Sequence, residues 1–201
     1  GKIYSSFNGN TVDFMSASDI LLPGVHNIEN YLAAFSAVHD FVGFDVMKKV
    51  AGEFSGVEHR IELVRELDGV KYYNDSIASS PSRTIAGLRS FDRKVILIAG
   101  GKDKGVPFDD LGDEICKRVK YLILTGFTAG RIREATEKSE NFDGTLPITV
   151  TDKFDEAVFE ARKAARPGDI VILSPASTSF DRFKNFAERG NTFKDIVNGL
   201  E

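Results

Sequence analysis

Val95-Ile96-Leu97-Ile98-Ala99, followed at once by Gly100-Gly101-Lys102-Asp103-Lys104-Gly105, joins an unbroken apolar run to a glycine-rich, charged turn. A run this short with no polar interruption is expected of a strand covered on both faces, as in parallel sheets flanked by helices. The same rhythm recurs along the chain. Residues 121–125 and Ile170–Leu173 are further buried runs, and 148–150 is a short strand. Between them, apolar residues step by three and four. Ile85 and Leu88 do so behind Pro81, which suits a first helical position. Phe108, Leu111, Ile115 and Val119 mark the next helix face, then a helix forms about Ile132, then one on Phe154, Val158 and Ala161. Phe183, Phe186, Gly190, Phe193 and Ile196 predict a last helix. Upstream, residues 61–65 and 70–73 flank Asp68-Gly69, a two-residue hairpin signal. Short strands alternating with amphipathic helices mean βαβ units, an α/β fold with a mostly parallel sheet.

The first part of the chain reads differently. Residues 1–25 are polar and turn-rich, with a hairpin turn expected at Asn8-Gly9 and a break at Pro23-Gly24. Tyr31, Leu32, Phe35 and Val38 then predict a helix from Asn27, and residues 46–54 a second one ending before Gly56. These residues are too few for an independent core and are expected to be the tail of something larger. The opening at Gly1, in mid-pattern, predicts a fragment.

Composition narrows the classes of function. The chain has 201 residues, 42% apolar and 28% charged, the balance of a globular protein rather than a disordered one. With 26 Lys and Arg against 30 Asp and Glu, and no basic run, it is a poor candidate for gripping nucleic acid. Cys116 is the lone cysteine, which excludes an internal disulfide and fits a reducing cytoplasm. No apolar stretch approaches the roughly 20 residues of a membrane span.

In sheets of this kind ligands lie beyond the carboxyl ends of the strands. The residues found there are Asn74-Asp75-Ser76 with Ser79, the Gly100–Gly105 turn, Thr125-Gly126, and Ser174-Pro175-Ala176-Ser177-Thr178-Ser179. Small hydroxyls, exposed backbone amides and two lysines suit a small anion. Each feature also has a plainer reading. The glycine turn matches neither phosphate-loop nor dinucleotide fingerprint, so it is either a simple turn or a lysine-bearing carboxylate holder. Asp75 either accepts from ribose hydroxyls or closes an Asx turn. Arg60 either clamps phosphate or pairs with Glu58 or Glu62. His26, His39 and His59 lack metal-ligand spacing. Ser174 and Ser179 lack the partners of a hydrolase triad. Cys116 lies on an apolar helix face and reads as structural.

Taken in order, the wording is specific. Leu22-Pro23-Gly24-Val25-His26-Asn27-Ile28-Glu29-Asn30 is followed by Phe54-Ser55-Gly56-Val57-Glu58-His59-Arg60-Ile61-Glu62 and by Tyr73-Asn74-Asp75-Ser76. After the glycine turn come Leu173-Ser174-Pro175-Ala176 and Ser179-Phe180-Asp181-Arg182-Phe183-Lys184-Asn185-Phe186-Ala187-Glu188-Arg189-Gly190-Asn191. This series closely resembles the C-terminal half of the Mur ligases, over essentially the whole chain, and within them the branch that joins D-glutamate to UDP-N-acetylmuramoyl-L-alanine.

The resemblance implies a three-domain, cytoplasmic enzyme of peptidoglycan precursor synthesis that uses ATP and Mg2+. Residues 1–56 would be the end of its ATP-binding central domain, and 57–201 its Rossmann-like C-terminal domain, which receives the amino acid. The phosphate loop, a carbamylated lysine and the metal-holding residues would lie in upstream domains of the same enzyme, so this chain alone would be inactive. By resemblance, Asn30 approaches adenine, Arg60 the phosphates or ribose of ATP, and Asp75 the ribose hydroxyls. Ser79, Lys104, Ser179 and the backbone near Phe186 would hold the carboxylates of D-glutamate. Ile77 departs from the pattern, since many relatives place a lysine there. Ser79 often corresponds to threonine, which keeps the hydroxyl. The competing expectation is a free-standing module that binds an amino acid or nucleotide without catalysis.

Overall fold

A computed structural model describes residues 1–7, 9–22 and 24–201, in two compact units, Gly1–Gly56 and Val57–Glu201. Asn8 of the expected Asn8-Gly9 turn and Pro23 of the Pro23-Gly24 break lie outside the described residues.

In the first unit, strands β1 (Lys2–Phe7) and β2 (Asn10–Ser16) pair antiparallel, and helices α1 (Val25–Val38) and α2 (Phe44–Glu53) follow. Although short, the unit gathers a small core of Ile3, Met15, Ile20, Tyr31, Phe35, Met47 and Ala51. Phe14 bridges Phe35 edge-on at 5.8 Å and stacks on Phe44 at 4.6 Å.

The second unit is built on six strands: β3 (Glu62–Leu67), β4 (Val70–Asn74), β5 (Val95–Ala99), β6 (Val119–Thr125), β7 (Ile148–Thr151) and β8 (Ile170–Leu173). Their order across the sheet is β3-β4-β8-β5-β6-β7. Only the β3–β4 pair is antiparallel. Its turn has Asp68 at φ 51° and Gly69 at φ 75°, the left-handed pair that a tight hairpin needs. The remaining strands connect through helices α3 (Pro81–Leu88), α4 (Asp109–Arg118), α5 (Ala129–Glu137) and α6 (Phe154–Ala164), and α7 (Phe186–Asn198) ends the unit.

Alternation along β5 sorts the core into two layers. Val95, Leu97 and Ala99 face α3, α4 and α5 with Leu88, Leu111, Ile115 and Ile132. Ile96 and Ile98 face α6 and α7 with Val158, Ala161, Phe193 and Val197. Burial of both faces explains why β5 and β8 carry no polar residue. Several boundaries differ from the sequence reading by a few residues, and two of the differences have a plain cause. Val119 opens β6 instead of extending α4, because the helix ends at Arg118 and the apolar step of four simply runs on into the strand. Phe183 precedes α7, since the Asn185 side chain accepts from the Glu188 amide and caps the helix there. Phe183 instead packs edge-on against Phe154 at 5.1 Å.

Candidate functional site

The carboxyl ends of β4, β8, β5 and β6 lie side by side, and the loops leaving them interlock through backbone bonds. Asp75 donates its amide to Leu173 O, Ser174 to Ile98 O and Gly100 to Pro175 O. Lys102 and Thr178 exchange amide bonds at 2.8 and 3.1 Å, forming a bridge between the β5 and β8 loops. The glycine turn is needed for this closeness. A Cβ on Gly100 would stand 1.8 Å from Thr125 O, and one on Gly101 2.2 Å from Thr178 O, both at positive φ. Thr128 completes the weave, accepting from the Gly101 amide at 3.1 Å and bonding Ser177 Oγ at 2.8 Å.

Beneath these loops sits Arg189, only 2% exposed. Its Nε donates to Ser76 Oγ at 3.0 Å, Nη2 to Ser76 O at 2.8 Å and Nη1 to Ser177 O at 3.1 Å. Ser76 Oγ passes the chain on to Phe186 O at 2.7 Å. One guanidinium thus joins the β4 loop, the β8 loop and the start of α7. Burial lowers its pKa to about 10, against the opposing pull of Asp181, so it remains a cation at neutral pH. Sequence reasoning gave this residue no role. The available signal was a charged side chain on the inward face of α7, next to Gly190 and in step with Phe193 and Val197.

Asp75 is 3% exposed, and its carboxyl accepts from Ser174 Oγ at 2.7 Å. Ser174 in turn reaches Thr84 Oγ1 at 3.0 Å. Burial is the leading influence on Asp75 and raises its pKa to about 7, opposed by the Ser174 and Ile61 bonds and by the charges of Arg60 and Arg83. The Asx turn is also present, but its acceptor is Asn74 Oδ1, which takes the Ser76 amide at 3.1 Å.

Among the expected carboxylate ligands, Lys104 Nζ lies 3.3 Å from Ser79 Oγ, so the structure brings these two together across the β4 and β5 loops. Ser179 is buried, and its neighbour Thr178 is bridged to Lys102, which ties its loop to that of Lys104. Phe186 is the first residue of α7, where backbone amides lack helical partners. Its ring meets His59 edge-on at 5.8 Å. Arg60 is exposed and does not pair with Glu58 or Glu62, because Lys194 takes both carboxylates at 2.6 and 3.0 Å. Asn30 belongs to α1 in the first unit, where its amide donates to Asn27 Oδ1 at 3.5 Å.

Glu58, His59 and Glu62 form the one cluster with metal-binding atoms among the described residues. Its donors are already engaged. Lys194 pairs with both carboxylates, and Asn74 Nδ2 donates to His59 Nδ1 at 2.9 Å and to Glu62 Oε2 at 3.1 Å. The group fastens α7 to β3 and β4 and does not suit a divalent cation.

Residues 59–177 match the family model described as Mur ligase, glutamate ligase domain. The UDP-N-acetylmuramoylalanine--D-glutamate ligase of Acetivibrio thermocellus is 60% identical over 193 residues, 94% of this chain and 41% of that protein. The protein of the same name from Ruminiclostridium cellulolyticum is 52% identical over 204 residues, 100% of this chain and 44% of its own length. The chain therefore spans about two-fifths of the length of these curated relatives. In fold it is similar to the UDP-N-acetylmuramate-alanine ligase of Thermotoga maritima, with a TM-score of 0.66 at 13% identity over 90% of this chain and 40% of that one. It is also similar to a Mycobacterium tuberculosis folylpolyglutamate synthase complexed with ADP and AMPPCP, with a TM-score of 0.61 at 17% identity over 90% of this chain and 42% of that one.

Proposed function

Since the chain belongs to the Mur ligase family, we propose that it is the D-glutamate-receiving part of an ATP-dependent ligase that extends UDP-N-acetylmuramoyl-L-alanine. The observation that carries this reading is the identity of 60% to a ligase named for D-glutamate, joined to the meeting of Lys104 and Ser79 at the strand ends. A non-catalytic module is not favoured, because relatives matching nearly the whole chain are ligases by name.

D-Glutamate carries two carboxylates, and this rim offers what such an anion needs. Lys104 supplies a cation, Ser79 and Ser179 supply hydroxyls, and the first turn of α7 at Phe186 supplies amide donors in a positive field. Held there, the amine is presented to the activated carboxyl of the other substrate. Such placement can lower a bimolecular barrier by roughly 7–11 kcal/mol. When bound, ATP supplies the phosphoryl group that turns the muramoyl-alanine carboxylate into an acyl phosphate, from which the amine displaces phosphate.

Toward ATP, we assign the exposed Arg60 to the phosphates or ribose and Asp75, whose charge it attracts, to the ribose hydroxyls. We assign Asn30, on the first unit, to adenine. Among the described residues the one group of three metal-ligating side chains, Glu58-His59-Glu62, is engaged by Lys194. The family's Mg2+ is assigned to upstream domains of the same enzyme. We assign residues 1–56 to the end of its ATP-binding central domain. A nucleotide-linked substrate and ATP assign the reaction to the cytoplasm. No helix among the described residues is long and apolar enough to cross a membrane.

Calorimetric titration of the chain with D-glutamate, L-glutamate and ATP tests the reading. D-Glutamate is expected to bind more tightly than its mirror image, and Lys104→Ala to weaken it about tenfold or more, as for loss of a charged hydrogen bond. Equal binding of the two enantiomers, or indifference to Lys104→Ala, would overturn it.

A further inference from the structure

The loop that carries Lys104 is tied down differently on its two sides. Toward β5 it is held by the Lys102–Thr178 bridge, reinforced by Thr178 Oγ1 donating to Lys102 O at 3.0 Å. Beyond that bridge the backbone has no regular partner until α4 begins at Asp109. A single side chain from α5 takes over there. Arg131 Nη1 forms an ion pair with the Asp103 carboxylate, and Nη2 donates to Val106 O at 3.2 Å. The guanidinium also lies 5.1 Å from the centre of the Phe108 ring. Asp103 in turn accepts the Gly105 amide at 2.8 Å through its other oxygen. Arg131 therefore fastens the residue before Lys104 and the residue two after it, while making no hydrogen bond to Lys104 or Ser79 itself.

We propose that Arg131 is a positioning residue for the amino-acid site, holding the 103–106 backbone so that the Lys104 ammonium is aimed at Ser79 before a carboxylate arrives. The proposal rests on the reading of Lys104 and Ser79 as carboxylate ligands. Beyond the bridge Gly105 takes positive φ with open space around it, so an untethered version would have more conformations to lose on binding. The Arg131–Asp103 pair is half-exposed, and pairs of that kind add little to global stability. Its effect is therefore local. The flat guanidinium holds a carboxylate and a carbonyl together, which a lysine ammonium does less well.

The test compares variants of the full-length protein. Arg131→Ala is expected to raise the D-glutamate KM about tenfold, within the range for directly coupled residues. The kcat and the ATP KM should stay close to those of the parent. Arg131→Lys should fall between the two. Placed in a Lys104→Ala background, Arg131→Ala should add no further loss. Hydrogen exchange should show the Gly105 amide opening faster in Arg131→Ala while the melting temperature barely moves. If Lys104→Ala raises the KM but Arg131→Ala does not, or the two losses multiply, or Gly105 exchange is unchanged, the positioning role is overturned. If Lys104→Ala itself leaves the KM unchanged, the reading of the site falls, and this proposal with it.

Discussion

Asp75 shows how a strand-end residue is shaped by what surrounds it. Burial holds its proton to about pH 7, whereas an unfolded chain releases it near 3.8. Between those values the folded state binds more protons than the unfolded one, so this group lowers stability as pH rises through the window. The effect is complete above about 7 and absent below about 4, and it amounts to a few kcal/mol at most. Urea unfolding at pH 5 and pH 8 should therefore show a smaller loss of stability in Asp75→Asn than in the parent chain. An identical loss in both would show that Asp75 does not titrate in this range. The position of Asp75 was legible from sequence, because a carboxylate just beyond a strand stands where ligands bind. Its inward turn was not legible. That depends on Ser174 and Thr84, which approach from β8 and α3. Arg189 was missed for a similar reason, as its partner Ser76 belongs to a loop 113 residues away in sequence.

At the level of elements, α7 is fitted to the sheet by an absence of side chain. A Cβ on Gly190 would stand 2.3 Å from His59 Nδ1 and 3.1 Å from Asn74 Nδ2. In an open helix, replacing glycine by alanine gains about 1 kcal/mol. Here Gly190→Ala should lose stability instead, by about 1–3 kcal/mol as an overpacking change, and thermal unfolding would register the sign. A gain in melting temperature would mean that α7 can slide away from β4 at no cost. Element types were readable because unbroken apolar runs and steps of three and four are local properties of the chain. Boundaries at Val119 and Phe183 were less readable, because apolar spacing continued across a helix end that only the cap or the next strand defines. The order of strands was not readable from these patterns at all, since β4 and β8 pair across nearly a hundred residues.

For the molecule as a whole, the two units differ in their reserves. The first rests on seven buried apolar side chains among the described residues, while the second packs a layer on each face of its sheet. Small cores leave little margin against chain entropy. Hydrogen exchange under rising urea should open Gly1–Gly56 before Val57–Glu201. Simultaneous opening would mean that the two behave as one cooperative body.

The place of β8 has a consequence for biosynthesis. This strand is the last of the six to be made, yet it is the central plank of the sheet and the sole link between the hairpin on one side and β5 to β7 on the other. Chains emerge N-terminus first, so the nascent polypeptide must wait with two unjoined half-sheets until Ile170–Leu173 are free. A premature stop just before Ile170 would leave β4 and β5 as raw strand edges with no strand between them.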